Sequence, residues 1–140
     1  MSRVFWDTNL FVYLLEDYGD LSRRASEIRT RMTERGDELL TSALTLGEVL
    51  VKPLEAGNAV LAARYEDAIV RSATVLAFTR ETARRYAEIR RDRAVRAPDA
   101  VQLACASQAR VDLFITNDDR LTQKTVPGIQ FVQSIHRAFL

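Results

Sequence analysis

The sequence predicts an α/β layered fold, with a mainly parallel central sheet flanked by helices on both faces. Two observations predict it. Short apolar runs rich in β-branched and aromatic residues recur along the chain, around 3–6, 39–41, 74–78, 113–116 and 129–132. Between them lie stretches with apolar residues at three- and four-residue spacing, the pattern of a helix burying one face. Strands that alternate with helices are joined by crossovers, which makes the sheet parallel and covers it on both sides.

Residues 3–6 give a first buried strand that runs straight into Asp7-Thr8-Asn9. A helix over 9–16 follows, then a longer one over 21–35 ended by Gly36, the residue type that most readily turns left-handed past a helix end. Residues 39–41 form a second, weaker strand. Ser42 is placed to cap a helix running through Val51, and Pro53, which lacks an amide N–H, stops it. Asn58 begins another helical stretch carrying Val60, Leu61, Tyr65, Ala68 and Ile69 at helical spacing, after which 74–78 turns β-like through Val75, Leu76 and Phe78. Thr79 caps an Arg-rich helix. Pro98, at a first helical position, opens a run through Ala109 with so little polar surface that the helix must be central. Residues 113–116 form a third strong strand, 120–124 a short turn of helix, and 129–132 a final strand before a short terminal helix.

A length of 140 residues with 47% hydrophobic content fits a single domain spanning 1–140, with a core that needs no covalent staples. The lone Cys105, in the apolar run Leu103-Ala104-Cys105-Ala106, reads as a small buried hydrophobe and fits a reducing cytoplasm. Apolar runs stay well short of the ~20 residues of a membrane span. The N-terminus lacks the basic start and apolar core of a signal peptide. The expectation is a cytoplasmic protein with no membrane association.

Net charge is only +1, so nucleic-acid binding must be argued from where the charges lie. The basic residues are 18 Arg and 2 Lys. Between Arg80 and Arg96, seven Arg face Glu81, Glu88 and Asp92, a local balance of +4 (7 − 3). Arg84, Arg85, Arg91 and Arg96 are the candidates there for RNA backbone contacts, and a solvated helix face of mixed charge accounts equally well for them.

Four carboxylates stand out by position. Asp7 and Asp118 follow apolar strands, Asp99 opens the Ala-rich helix, and Glu48 lies about one and a half turns into its helix with Thr45 on the same face. In parallel α/β sheets the functional crevice lies beyond the carboxyl ends of the strands. Acids gathered there raise one another's pKa unless a cation offsets them. Oxygen-only ligands select Mg²⁺ or Mn²⁺ over Zn²⁺, and the chemistry they suit is metal-assisted phosphodiester hydrolysis. The only histidine, His136, sits in the tail and is incidental.

Taken singly, most of these acids have an ordinary reading. Asp7-Thr8-Asn9 before a helix is capping chemistry; Glu48 alone is a surface helix residue; Asp118 and Asp119 could simply start the helical turn at Arg120. Asp99 is harder to dismiss, because a carboxylate heading an apolar helix needs a partner to offset desolvation.

In order along the chain, Asp7-Thr8-Asn9, Thr45 with Glu48, Pro98-Asp99-Ala100 followed by Gln102-Leu103-Ala104, and Thr116-Asn117-Asp118 resemble the PIN-domain nucleases, and within them the VapC-like toxins. The resemblance implies a PIN-like layered fold over nearly the whole chain and a metal-dependent endoribonuclease. It also implies a small antitoxin partner that blocks the acidic site, and a homodimer. Carried onto this chain, it makes Asp7, Glu48, Asp99 and Asp118 the catalytic, metal-binding acids. Thr8, Asn9 and Thr116 become the groups that orient them by hydrogen bonds. Asp119 could replace or assist Asp118, which is favoured because it lies two residues after Thr116. An antitoxin would set an Arg among the acids and dock on the run Leu10, Phe11, Leu14 and Leu15, at least half of which is core.

Four other functions compete. A housekeeping PIN-type RNA-processing nuclease would carry the same acids. A haloacid-dehalogenase-like, metal-dependent phosphatase expects Asp-x-Asp, where this chain has Asn9 at the third position. A receiver-like signalling module expects paired acids after the first strand and a Lys at a late strand end, and neither Lys52 nor Lys124 is so placed. A non-catalytic RNA- or protein-binding scaffold has no need of all four acids.

Overall fold

The computed structural model describes residues 1–138. Strands β1 (Arg3–Trp6), β2 (Glu38–Ser42), β3 (Thr74–Leu76), β4 (Leu113–Thr116) and β5 (Phe131–Ser134) form one five-stranded sheet in the order β3-β2-β1-β4-β5. Each of these pairings is parallel. The predicted α/β class is the observed one, with the connections supplied by α1 (Thr8–Leu15), α2 (Asp20–Arg35), α3 (Ala43–Glu55), α4 (Ala59–Ser72), α5 (Arg80–Ile89) and α6 (Ala97–Ala109).

The strands read as unbroken apolar runs because both sheet faces are covered. Val4 and Trp6 point to one face, with Leu39, Leu113 and Ile115, and pack under Leu10 and Phe11 of α1 and Ile28 and Met32 of α2. Phe5, Leu40 and Phe114 point to the other, under Leu103 and Ala106 of α6. Phe5 and Phe114 are register partners across β1 and β4, and their rings stack with centroids 5.1 Å apart. The alternation follows from the two-residue period of a strand.

Some boundaries differ from those read off the sequence, each for a local reason. Pro53 does not stop α3, which continues to Glu55. A proline in the last turn removes only one intrahelical bond. Pro53 is buried, and the bonds Ala56 N–H to Lys52 O and Asn58 N–H to Pro53 O close the turn beyond it. The Arg-rich stretch is divided, with α5 ending at Ile89 and 90–96 connecting it to α6. The last strand starts two residues later than expected: Ile129 bonds back to Val126 O in a turn and fills the core instead. Gly128 makes that turn possible. Its φ is +93°, and a Cβ there would come within 2.7 Å of the Ser107 carbonyl oxygen. The helical turn expected over 120–124 is a 3₁₀ turn, Leu121–Gln123. Residues 135–137 form a turn rather than the start of the predicted terminal helix, whose remainder, at 139–140, lies outside the described residues.

Candidate active site

The chain runs outward from β1 through β2 to β3, then returns to the other side of β1 as β4 and β5. The order therefore reverses between β1 and β4, which opens a crevice beyond the carboxyl ends of those two strands. Asp7 stands at the end of β1 and Asp118 just past the end of β4. A cavity of about 270 Å³ lies there, and all four predicted acids, Asp7, Glu48, Asp99 and Asp118, line it. Thr8, Asn9, Arg96 and Gln102 contribute to the same wall.

Asp7 serves two ends at once. It is the N-cap of α1, its Oδ1 accepting from Thr8 N–H at 2.9 Å, while Oδ2 accepts from the Thr116 hydroxyl at 2.9 Å. The same Thr116 oxygen accepts from Asp118 N–H at 3.0 Å, so one threonine couples the acid after β1 to the segment after β4. Burial pushes the Asp7 carboxyl up to about 6 against these two hydrogen bonds, and the charges of Asp99 and Glu48 add to the rise.

Glu48 is exposed on α3, yet its Oε1 accepts from the Thr8 hydroxyl at 2.7 Å. Asp99, half-buried in the first turn of α6, has no hydrogen-bond partner for its carboxylate among the described residues. Its pKa is also raised, first by burial, then by the charges of Asp118 and Glu48, with Arg96 opposing. Asp118 is held by Arg120, whose Nε and Nη2 meet its two oxygens at 3.0 and 2.7 Å.

The predicted supporting residues divide. Thr8 and Thr116 bond the acids directly; Asn9 lines the cavity but bonds none of them among the described residues. Asp119 faces a different cavity, with Thr122, Gln133 and His136, and is not gathered with the four. Of the arginines, Arg96 reaches the cavity wall, Arg85 is committed to Gln108 and Ser107, and Arg91 pairs with Glu88. Arg84 is exposed on α5. Leu10 and Phe11 are fully buried, so they offer no docking surface. Three residues outside the predicted set touch the acids or their supports: Arg120 on Asp118, and Gln102 and Thr45 on Thr8.

The donor set suits a hard divalent cation. It is all oxygen, and two of its carboxyls are held above their usual range by burial and by their neighbours, a deficit that a dication removes. Among the described residues, no three Asp, Glu, His or Cys side chains are already drawn close enough to hold an ion, and the Asp118 carboxylate is engaged by Arg120. The residues fit a metal in kind, and the arrangement is open.

The PIN domain family matches residues 4–126. No curated protein matches the chain in sequence. Among solved structures, the fold is similar to a chain of VapBC2 from Rickettsia felis bound to a DNA fragment from their promoter, with TM-score 0.75 and 13% identity over 94% of this chain and 98% of that one. It is similar to VapBC-1 from nontypeable Haemophilus influenzae, with TM-score 0.71 and 16% identity over 96% and 99%. It is also similar to a toxin-antitoxin complex from Klebsiella pneumoniae, with TM-score 0.65 and 22% identity over 90% and 94%. With a family match over most of its length and the corresponding sheet, the chain belongs to the PIN domain family.

Proposed function

We propose that this protein is a metal-dependent endoribonuclease that hydrolyses RNA phosphodiester bonds, and that it is the toxin of a toxin-antitoxin pair. The observation that carries the reading is the meeting of Asp7, Glu48, Asp99 and Asp118 in one cavity at the reversal of strand order. These four residues would hold Mg²⁺ or Mn²⁺. When bound, such an ion lowers the pKa of an attacking water and offsets charge on the phosphate. The protein's own share is to hold the acids and grip the substrate. Thr8 and Thr116 each hold one oxygen of Asp7 by a hydrogen bond. Arg96, at the cavity wall, is placed to meet a backbone phosphate, and Arg84 on α5 extends that basic stretch.

The antitoxin part is supported by the similar solved structures, among them a toxin-antitoxin complex and a member of the VapBC family of toxin-antitoxin systems. A small antitoxin and a homodimeric arrangement are the proposed partners, in the cytoplasm. No helix among the described residues is long and apolar enough to cross a membrane. The test uses the purified protein with Mg²⁺ or Mn²⁺ and labelled RNA, beside Asp7→Asn and an aryl phosphate. RNA cleavage that needs the metal and Asp7 is expected; hydrolysis of the aryl phosphate alone would indicate a phosphatase. Expression with and without the neighbouring small reading frame then tests the toxin, and equal growth in both would leave a housekeeping nuclease.

A further inference from the structure

Gln102 is 2% exposed in the middle of α6, between the buried Ala100 and Leu103. A primary amide has two N–H donors and a carbonyl acceptor, and burying it is costly unless each finds a partner. All are met. Nε2 donates to Thr8 Oγ1 at 2.9 Å and to Thr45 Oγ1 at 2.7 Å, and Oε1 accepts from the Ser42 hydroxyl. One side chain of α6 thereby ties the start of α1, the first turns of α3 and the end of β2. Ser42 stands at the N-cap of α3, yet its hydroxyl makes no capping bond and goes to Gln102 instead.

The network has one consistent polarity. The Thr8 hydroxyl has a single proton and lies 2.7 Å from Glu48 Oε1. The hydroxyl is the donor of that pair, so the proton points there. The lone pairs of Thr8 then face Gln102, which must present N–H, and the Thr45 hydroxyl, 3.2 Å away. Turned over, the amide would set its carbonyl oxygen against Thr8 and compete with Glu48 for that one proton.

We propose that Gln102 is a positioning residue of the acidic cavity: by fixing the Thr8 hydroxyl it holds the Glu48 side chain, otherwise a free exposed rotamer on α3, in place at the cavity wall. This rests on reading Glu48 as one of the metal-binding acids. Partners of this kind are worth about 10–100-fold in metal affinity.

The test is a double-mutant cycle. Gln102→Met keeps length and shape without the amide, and Thr8→Val keeps shape without the hydroxyl. Mn²⁺ affinity by calorimetry should fall about tenfold in each single variant. Because Gln102 acts through Thr8, the double variant should be no worse than Thr8→Val. Arg24→Ala, which removes contacts to the Ile135 and Ala138 carbonyls far from the cavity, is the stability control. It should lower the melting temperature and leave Mn²⁺ affinity unmoved. Unchanged affinity in Gln102→Met, or losses that multiply in the double variant, would overturn the proposal.

A metal-free readout stands beside it. The side-chain ¹⁵N–¹H signals of Gln102 should be protected from water exchange, with Thr8→Val displacing one proton of the pair more than the other. Two freely exchanging protons that ignore Thr8→Val would also overturn it. If the wild type bound no Mn²⁺, the metal reading of the site would fall, and these signals would still decide whether Gln102 holds Thr8.

Discussion

On the β1 side of the cavity, both Asp7 oxygens accept hydrogen bonds, and Glu48 is held through Thr8. On the α6 side, Asp99 has no hydrogen-bond partner among the described residues, and Asp118 is engaged by Arg120, two residues along its own chain. One side is held by groups from α1, β4 and α6. On the other, the Asp99 carboxylate has no such tie, and that of Asp118 is held only from within its own turn. A cavity built this way can keep part of its donor set at fixed positions while the rest closes around an ion, which reconciles four acids lining one wall with the lack of a ready-made ligand group among the described residues.

Substitutions at the acids should give the largest effects, and those that keep charge but change length test that difference. Asp7→Asn and Asp99→Asn should each reduce metal-dependent RNA cleavage by roughly 100-fold or more, because each removes ligand charge. The Glu variants separate the two sides. Asp7→Glu should be as damaging as Asp7→Asn, since the longer side chain cannot meet Thr8 N–H and Thr116 together. Asp99→Glu should stay within about tenfold of wild type, because no fixed partner is lost. Equal losses in the two Glu variants would break the comparison.

The acids on both sides were legible in the sequence, and the groups that hold them less so. Asp99 stands out because a charge at the head of an apolar helix has no local excuse, and Asp7 and Asp118 stand out because strand ends mark the crevice. The strands β1 and β4 are equally plain, as short apolar runs with local boundaries. The role of Gln102 is invisible at that level: it stands in the sequence only as part of the motif after Asp99, until the hydroxyls of Thr8, Thr45 and Ser42, 94, 57 and 60 residues away, are brought against it. The position of β5 was missed for a similar reason, since the approach of Gly128 to Ser107 exists only after α6 has packed.

The held side should also reveal itself in stability. The Asp7 carboxyl sits at about 6 against a usual 3.8, so the folded state binds this proton more tightly than the unfolded chain does. Its contribution therefore favours the fold below pH 3.8 and is lost as pH rises through about 6. Denaturation of the metal-free protein between those limits should show a loss on the order of 2–3 kcal/mol. Asp7→Asn should be flatter there and more stable near neutral pH. Parallel curves for the two proteins would mean that Asp7 is well solvated and the β1 side is not the desolvated one.

Metal should reverse that loss. A ligand that binds only the native state adds about 2.7 kcal/mol at a hundred times its dissociation constant, so Mg²⁺ or Mn²⁺ should raise the melting temperature. The gain should shrink in Asp99→Asn and, by a smaller factor, in Thr116→Val, which unties Asp7 without removing charge. If millimolar Mg²⁺ and Mn²⁺ left the wild type unmoved, the four acids would not act as one site.

The smallest effect belongs to Arg120. Its side chain is 58% exposed and that of Asp118 25%, so the ion pair adds under about 1 kcal/mol to stability, and Arg120→Ala should scarcely change the melting temperature of the metal-free protein. Its effect on metal is another matter. The guanidinium occupies both oxygens of Asp118, and an ion that recruits this carboxylate must displace it. Removing the competitor returns its interaction energy to binding, so Mn²⁺ affinity in Arg120→Ala should rise by up to about fivefold. The sign is the informative part, because deleting an arginine that merely braced the acid in a ligating position would weaken binding instead. A weaker Mn²⁺ affinity would therefore move Asp118 to the held side of the cavity and leave Asp99 as the one acid free to close.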